Sequence, residues 1–307
     1  MKQFRHISEV ANKTIQFIKA RKDGTDKSLR TRWSKFNKVT MGGIEPNTVM
    51  TIAGISGAGK SAIGNMLETD VIDLNREEDI IVLSFSFEML SERQVGRRLS
   101  SKMHISTRKL YSADEPLSDT TFNFAIAKAQ ELKEYPIYYV DEPCTVLEMA
   151  KIIEHFQIAY PKKWLVVFID HTLLISREND DERMTINNLQ KYLIKTKKIN
   201  KTTIIQLAQL NREIEKPERI NNPSMHYPMR SDLSSSDSMF QASDYVIVIH
   251  RPEILQIQRY GIDGIDTKNQ VFLHFLKSRE GEIKILRFIN DLAFNNLIEP
   301  LETKTNE

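Results

Sequence analysis

The chain is poor in the residues that mark several common classes. It has one cysteine, Cys144, in 307 residues, so no intramolecular disulfide can form, and without a Cys-x-x-Cys or Cys/His cluster a zinc site has no support. A reducing cytoplasm is the expected compartment. No run approaches the roughly 18 consecutive apolar residues of a membrane span, and the start MKQFRHISEV lacks the basic-then-apolar plan of a secretory signal. Neither export nor a membrane partner is expected. The 11 glycines and 10 prolines are too few for a collagen-like or low-complexity chain, and no internal period suggests a solenoid or propeller. Charge of one sign is not in excess either: 43 Lys+Arg stand against 41 Asp+Glu. A polyanionic partner must therefore meet a local basic patch rather than a global field.

What is present is an ordinary globular composition, 40% apolar and 27% charged, long enough for one large α/β domain with an appendage. Residues 6–21, HISEVANKTIQFIKAR, space their apolar positions by three and four, which predicts an amphipathic helix. The polar, glycine-containing KDGTDKS that follows predicts a linker, so the helix stands off from the body and offers its stripe to a neighbouring subunit. From residue 48 short β-prone runs recur: TVMTIA, DIIVLSFS, PIYYV, WLVVFI, TTIIQLA and DYVIVIH. Helical patterns lie between most of them, which predicts a mostly parallel sheet covered on both faces. QVFLHFL and IKILRFI predict a closing hairpin at the sheet edge. Residues 211–240, polar and interrupted by Pro217, Pro223 and Pro228, predict mainly a long surface loop.

The chemistry begins at Gly54-x4-Gly59-Lys60-Ser61, set between a strand pattern and a helix pattern, the context a phosphate-binding loop requires. Gly54, Ser56, Gly57, Ala58 and Gly59 supply backbone N–H groups. A helix amino terminus at Lys60, Ser61 and Ala62 adds positive potential, Lys60 can reach the β- and γ-phosphate oxygens, and Ser61 can ligate Mg²⁺. Ligands in open α/β sheets bind at the carboxyl ends of the strands, and polar groups fall there. Asp170 ends VVFID, where a carboxylate can hold magnesium through water; a turn-forming Asp is the bland alternative. Glu88 follows LSFSF at a position suited to a general base, although a solvated carboxylate would look the same. Ser91-Glu92-Arg93-Gln94 reads as a capping box for the next helix. Gln209 ends TIIQLA as a neutral group suited to sensing a γ-phosphate, or as an ordinary strand-end amide.

Together these stretches resemble the C-terminal motor domain of DnaB-like replicative helicases, a hexameric family with the RecA fold. The likeness runs in order over roughly residues 6–290. It passes through MGGIEPNTVMTIAGISGAGKS, FSFEMLSERQVGRRLSS, VDEPCTVLEMAKII, VVFIDHTLLIS, QLAQLNR, SDLSSSDSMFQASDYVIVIHR and FLKSREG. It implies a RecA-like P-loop NTPase core at 29–298, a linker helix and linker at 1–28, and a tail at 299–307. It also implies ATP or another NTP with Mg²⁺, single-stranded DNA and a homo-hexameric ring. Position by position, it makes Lys60 and Ser61 the phosphate and magnesium ligands, Asp170 the second carboxylate, Glu88 the base and Gln209 the γ-phosphate sensor. Lys277 and Arg279 in KSREG match the cation pair that reaches the adjacent subunit's nucleotide, and Arg251 matches an arginine near the nucleotide.

The departures carry expectations of their own. The helical domain that precedes the linker helix in the family is absent from this sequence, which suggests a minimal phage-type helicase or a fragment. Contacts with a primase or loader are affected accordingly. The family's SDLRESG loop reads SDLSSSD, with Ser234 in place of its arginine and Asp237 in place of its glycine. The DNA grip is then expected from Ser234, Ser235, Ser236 and nearby Arg212, Arg219 and Arg230. His171 replaces a tyrosine and is expected to pack or hydrogen-bond rather than ligate a metal; Glu280 replaces an asparagine. The leading reading is a ring-forming, ATP-driven DNA helicase. The alternatives are a RecA-type DNA-dependent ATPase serving recombination, packaging or a switch, and, third, a P-loop kinase.

Overall fold

The computed structural model describes residues 4–177, 181–223, 226–233 and 236–300. Among them, the apolar runs form strands β1 Val49–Gly54, β2 Ile80–Ser86, β3 Ile137–Val140, β4 Trp164–Asp170, β5 Thr202–Gln209 and β6 Tyr245–His250. A short pair follows, β7 Arg259–Tyr260 and β8 Ile265–Asp266, and then β9 Gln270–Ser278, β10 Ile285–Asp291 and β11 Asn296–Ile298. Apart from the β7–β8 pair, these build one sheet in the order β11-β10-β9-β6-β1-β5-β4-β2-β3. The six strands from β6 to β3 are parallel, while β9, β10 and β11 alternate in direction. The expected hairpin is therefore present, but β11 rather than β10 closes the edge.

Parallel strands need helical crossovers, and these are α3 Lys60–Asp73, α4 Ser91–Met103, α5 Thr107–Tyr111, α6 Asp119–Leu132, α7 Val146–Ala159 and α8 Glu182–Thr196. (α1 Ile7–Lys22 and α2 Ser34–Val39 precede them, and α9 Pro217–Ile220 and α10 Ser236–Ala242 follow.) Both sheet faces are buried, so each central strand divides its apolar residues by alternation. Val166 and Phe168 face α3 residues such as Ile63, Met66 and Leu67. Leu165, Val167 and Ile169 face Ile153, Leu189 and Leu193 of α7 and α8. Trp33 fastens the outer strands: its indole donates to Leu297 O at 2.9 Å and its ring meets Phe288 edge-on at 5.5 Å. Glu299 accepts from the Ser34 and Lys35 amides at 3.0 and 2.7 Å, which ties the first residues of the expected tail to α2; residues 301–307 lie outside the described residues.

Three expectations need correction or refinement. The capping box at Ser91 is not formed, because Leu90 occupies the cap position. The Ser91 hydroxyl instead donates to Asp141 Oδ2 at 2.7 Å, just past β3. Tertiary capping wins because β3 lies beside β2 and delivers a carboxylate to the helix amino terminus, where negative charge is favoured. The unforeseen capping box is at α7, where Thr145 and Glu148 bond reciprocally. Residues 211–240 are also more than a surface loop. They hold short helical turns and α9, and are pinned by a Leu210–Leu233 bridge and by fully buried Ile214. The helix predicted at 6–21 forms as α1, and none of its residues is buried.

Beside β6 lies a cluster of buried aromatic rings. His226 stacks on His250 with centroids 5.2 Å apart, and His250 meets His274 at 6.0 Å. Burial lowers the pKa of all three, that of His274 to about 3. The folded state thus keeps them neutral while the unfolded chain protonates near 6.5, so their contribution is complete above that pH and is lost as pH falls from 6.5 toward 3. We predict that unfolding stability drops between pH 7.5 and 5, by about 2 kcal/mol for His274 alone. In His274→Gln, chemical denaturation at the two pH values should give a correspondingly smaller drop; an equal drop would show that His274 does not carry the acid sensitivity.

Candidate functional site

The register of the parallel strands brings the polar strand ends together. Gly54 pairs with Gln209, and Ser86 pairs with Asp170, so four neighbouring strands finish at one carboxyl edge. The turn after β1 must reverse tightly into α3. Gly59 caps that helix with φ +107°, a conformation L side chains rarely adopt. A Cβ at Gly54 would lie 2.8 Å from the Ile249 side chain, so β6 can approach only a glycine there. The loop that results, residues 54–59, opens onto solvent at Ser56 and Gly57, while Ala58 and Ala62 are buried beneath it.

Lys60 turns back into this loop. Its ammonium donates to Gly54 O at 3.1 Å, Ile55 O at 3.0 Å and Gln209 Oε1 at 2.9 Å. Burial lowers its pKa, against the attraction of Glu88 and Asp170. Gln209 is thereby joined to the loop directly. Asp170 is buried, and its Oδ1 has no hydrogen-bond partner. Burial pushes its pKa up to about 6; the bond donated by the Ser61 hydroxyl opposes that shift and the charge on Glu88 adds to it. Glu88 stands exposed just beyond β2. Arg251, past β6, donates to Gly57 O at 3.2 Å, while its buried Nε has no partner. His171 accepts from Leu173 N at 3.1 Å, a hydrogen-bonding role as expected.

Sequence reasoning missed Arg97. Its buried Nη1 has no partner, and Asp170 and Glu88 are the first charges to act on it. Its neighbour Arg98 points the other way, into an ion pair with Glu68. Adjacent helical positions lie about 100° apart, so two consecutive arginines cannot serve one face, but the sequence does not say which one faces the site.

Lys277 and Arg279 do not join this group. They lie on antiparallel β9 and just past it, where Lys277 pairs with Val246 and Ser278 with Tyr245. That is the amino edge of β1 and β6. At ~3.3 Å per residue, Gly54 and Val49 at the two ends of β1 are about 17 Å apart. Arg279 Nη1 lies 3.0 Å from Asp244 Oδ1, and Asp244 also accepts from Lys197 at 2.5 Å and from Val49 N at 2.8 Å. Lys277 donates to Phe240 O at 2.6 Å. The anchoring role of Asp244 was not foreseen; an Asp at a strand start has no signal by itself.

The expected DNA cations separate. Arg212 is exposed, and Arg230 is half exposed and paired with Asp237 at 2.8 Å. Arg219 is the most engaged of the three: it is 19% exposed, bound to Asp232 Oδ1 at 2.5 Å and to Tyr227 O at 2.8 Å. In this arrangement the guanidinium braces the segment. Ser234 and Ser235 lie outside the described residues, and Ser236 opens α10. At the far end of the chain, α1 exposes Ile7, Ile15, Phe17 and Ile18.

A strand, a glycine turn and a helix with an inward lysine, set beside strand-end Asp and Gln in a mostly parallel sheet, define the RecA-like class of nucleotide-binding folds. Residues 28–298 match the family model of the DnaB-like helicase C terminal domain, and the chain belongs to that family. It is 24% identical over 287 residues to the replicative DNA helicase DnaB of Buchnera aphidicola subsp. Schizaphis graminum, covering 91% of this chain and 57% of the relative. It is 27% identical over 251 residues to DnaB of Mycoplasma genitalium, covering 79% and 51%. The chain thus spans about half the length of these curated relatives. Among solved structures, the ATPase domain of a phage helicase superposes with TM-score 0.79 at 19% identity, covering 97% of this chain and all of that one. A DnaB-like replicative helicase, described with its interactions with primase, gives 0.78 at 18%, covering 98% and 68%. No described helix is long and apolar enough to cross a membrane.

The buried Asp170, with its Oδ1 lacking a partner, carries a stability cost that can be measured. Its folded pKa, about 6, stands above the ordinary 3.8, so the ionised carboxylate opposes folding at neutral pH and ceases to do so below about pH 4. We predict that Asp170→Asn, without nucleotide, gains about 1 to 3 kcal/mol in urea unfolding at pH 7.5 and nothing at pH 4. A loss at pH 7.5 would mean that the carboxylate is already satisfied.

Proposed function

We propose that the chain is the motor of a ring-forming DNA helicase, a hexamer in which ATP hydrolysed between subunits drives movement along single-stranded DNA and separation of the duplex. The observation that carries this reading is the two-edged sheet. Lys60, Asp170, Glu88 and Gln209 gather at the carboxyl edge, whereas Lys277 and Arg279 sit about 17 Å away at the amino edge. A single chain cannot apply both sets to one phosphate, but two copies packed edge to edge can. The proposed division of the chain follows: 1–28 makes a subunit contact, 29–298 is the motor and 299–307 a tail.

In this site the 54–59 backbone wraps the phosphates, Lys60 faces the β- and γ-oxygens, and Arg251 lies beside the loop. Ser61 and Asp170 would hold Mg²⁺; the orphaned Asp170 Oδ1 fits that role. Among the described residues no three His, Cys, Asp or Glu form a ready metal cage. The ion would therefore take most of its ligands from phosphate and water, as magnesium commonly does, and would supply neutralisation of phosphate charge. Glu88 takes a proton from the attacking water as its oxygen bonds to the γ-phosphorus and the bond to the β-phosphate oxygen breaks. Gln209, held by Lys60, reports whether the γ-phosphate is there. The neighbour's Lys277 and Arg279 stabilise charge that develops in the transition state. Single-stranded DNA runs against the 211–237 segment, with Arg212 and Arg230 as its cations. A primase or loader, as partner of a longer assembly, belongs to the same proposal.

The α1 stripe is expected to cover a neighbour. Removing residues 1–25 should shift the mass seen by light scattering toward smaller species, since Ile7, Ile15, Phe17 and Ile18 of this amphipathic helix stay exposed on its own chain. Unchanged rings at equal concentration would place the helix outside the subunit contact.

The test of the reading is complementation. Glu88→Gln should bind ATP and lose about 10² to 10⁴-fold in turnover. Arg279→Ala and Lys60→Ala should each be inactive alone, the first by about 10³ to 10⁵-fold. Mixed together, they should recover part of the activity, because some interfaces join an intact Lys60 to an intact Arg279. Mixed rings without recovered hydrolysis would defeat the interface mechanism and favour a DNA-dependent ATPase of another role or a kinase.

A further inference from the structure

Two cations share one aromatic ring at the amino edge of the sheet. The Arg230 guanidinium lies 4.7 Å from the Phe240 centroid and the Lys277 ammonium 5.1 Å from it. Arg230 also reaches Asp237, in the first turn of α10, at 2.8 Å. Lys277 donates to the carbonyls of Phe240 at 2.6 Å and Gln241 at 3.4 Å, in the last turn, where unpaired C=O groups favour a cation. Two residues past α10, Asp244 holds Arg279 twice, by side chain at 3.0 Å and through Arg279 N to Asp244 O at 3.0 Å. One seven-residue helix therefore touches a candidate DNA cation at one end and both candidate finger cations at or just beyond the other.

We infer that α10, through Phe240 in its last turn, is a relay that reports capture of a single-strand phosphate by Arg230 to Lys277 and Arg279. This rests on the motor reading above and adds the regulation of its interface. A phosphate that draws Arg230 off the ring removes a like charge from beside Lys277 and leaves the π face to the ammonium alone. Lys277 is then held more firmly over the last turn of α10, and Arg279 follows through Asp244. DNA on one subunit thus seats the cations that act on the neighbour's nucleotide. In this relay Phe240 is a positioning residue, acting through Arg230 and Lys277.

The experiment uses the full chain, ATP and oligo-dT. Phe240→Leu keeps an apolar side chain against the core but has no π face. Turnover with saturating oligo-dT should fall about tenfold while KM for ATP and Kd for oligo-dT stay within about twofold, and Phe240→Trp should restore it. Full oligo-dT-stimulated turnover in Phe240→Leu, or a Phe240→Trp no better than Phe240→Leu, overturns the relay and leaves the motor reading intact. An unsubstituted chain that oligo-dT fails to stimulate defeats the motor reading, and the relay with it.

Discussion

The parallel pairing of β1 with β5, and of β4 with β2, is the constraint on which the site depends. Parallel strands in register end at the same edge, so Gly54, Gln209, Asp170 and Glu88 converge although more than 150 residues separate the first from the second in sequence. Lys60 then locks two of these ends together, bonding to the Gly54 and Ile55 carbonyls and to the Gln209 amide at once. A slip of one residue would turn each side chain to the opposite sheet face. The burial of both faces by distinct sets of residues makes such a slip costly.

The same edge gathers charge that the fold does not fully satisfy. Asp170 Oδ1, Arg97 Nη1 and Arg251 Nε are all buried without a partner, and burial opposes the ionised forms of Asp170, Arg97, Lys60 and Arg251. Buried polar groups are normally paired, and an unpaired one costs about 1 to 3 kcal/mol. Several of them around one glycine loop are what the proposed nucleotide site requires, since strongly perturbed groups cluster at functional sites. Elsewhere, buried charges face opposite partners, as in Arg98–Glu68 and Lys197–Asp244, although Arg98 Nε is itself without a hydrogen-bond partner.

The reversal of direction at β9 has the wider consequence. β9 runs back along β6 and delivers Lys277 and Arg279 to the edge the parallel strands start from. On the proposed reading, the molecule is a half-site facing each way, and it becomes complete only between copies. The uncovered stripe of α1 is consistent with a chain whose surfaces are finished by neighbours. In the described part of the 211–233 segment, Arg219 pairs with Asp232 and buried His226 bonds to Ile214 O.

Much of this was legible in the residues. Near-continuous apolar runs separated by helical spacing determine a two-sided parallel sheet, because only such a sheet buries a strand on both faces. Gly54-x4-Gly59-Lys60-Ser61 determines its own turn, because positive φ and close approach admit little else. Polar residues that end apolar strands point to the carboxyl edge, where open α/β sheets bind ligands. What a linear reading could not decide were relations between distant segments. That Asp141 rather than Ser91 caps α4, that Arg219 is spent on Asp232, and that Arg97 rather than Arg98 faces Asp170 all depend on which elements lie side by side. So do the three histidines drawn from 226, 250 and 274 into one buried stack, and the ring of Phe240 between two cations. Local patterns report what each segment must bury or turn. The partner of a charge is set by strand order and direction, which only tertiary packing decides.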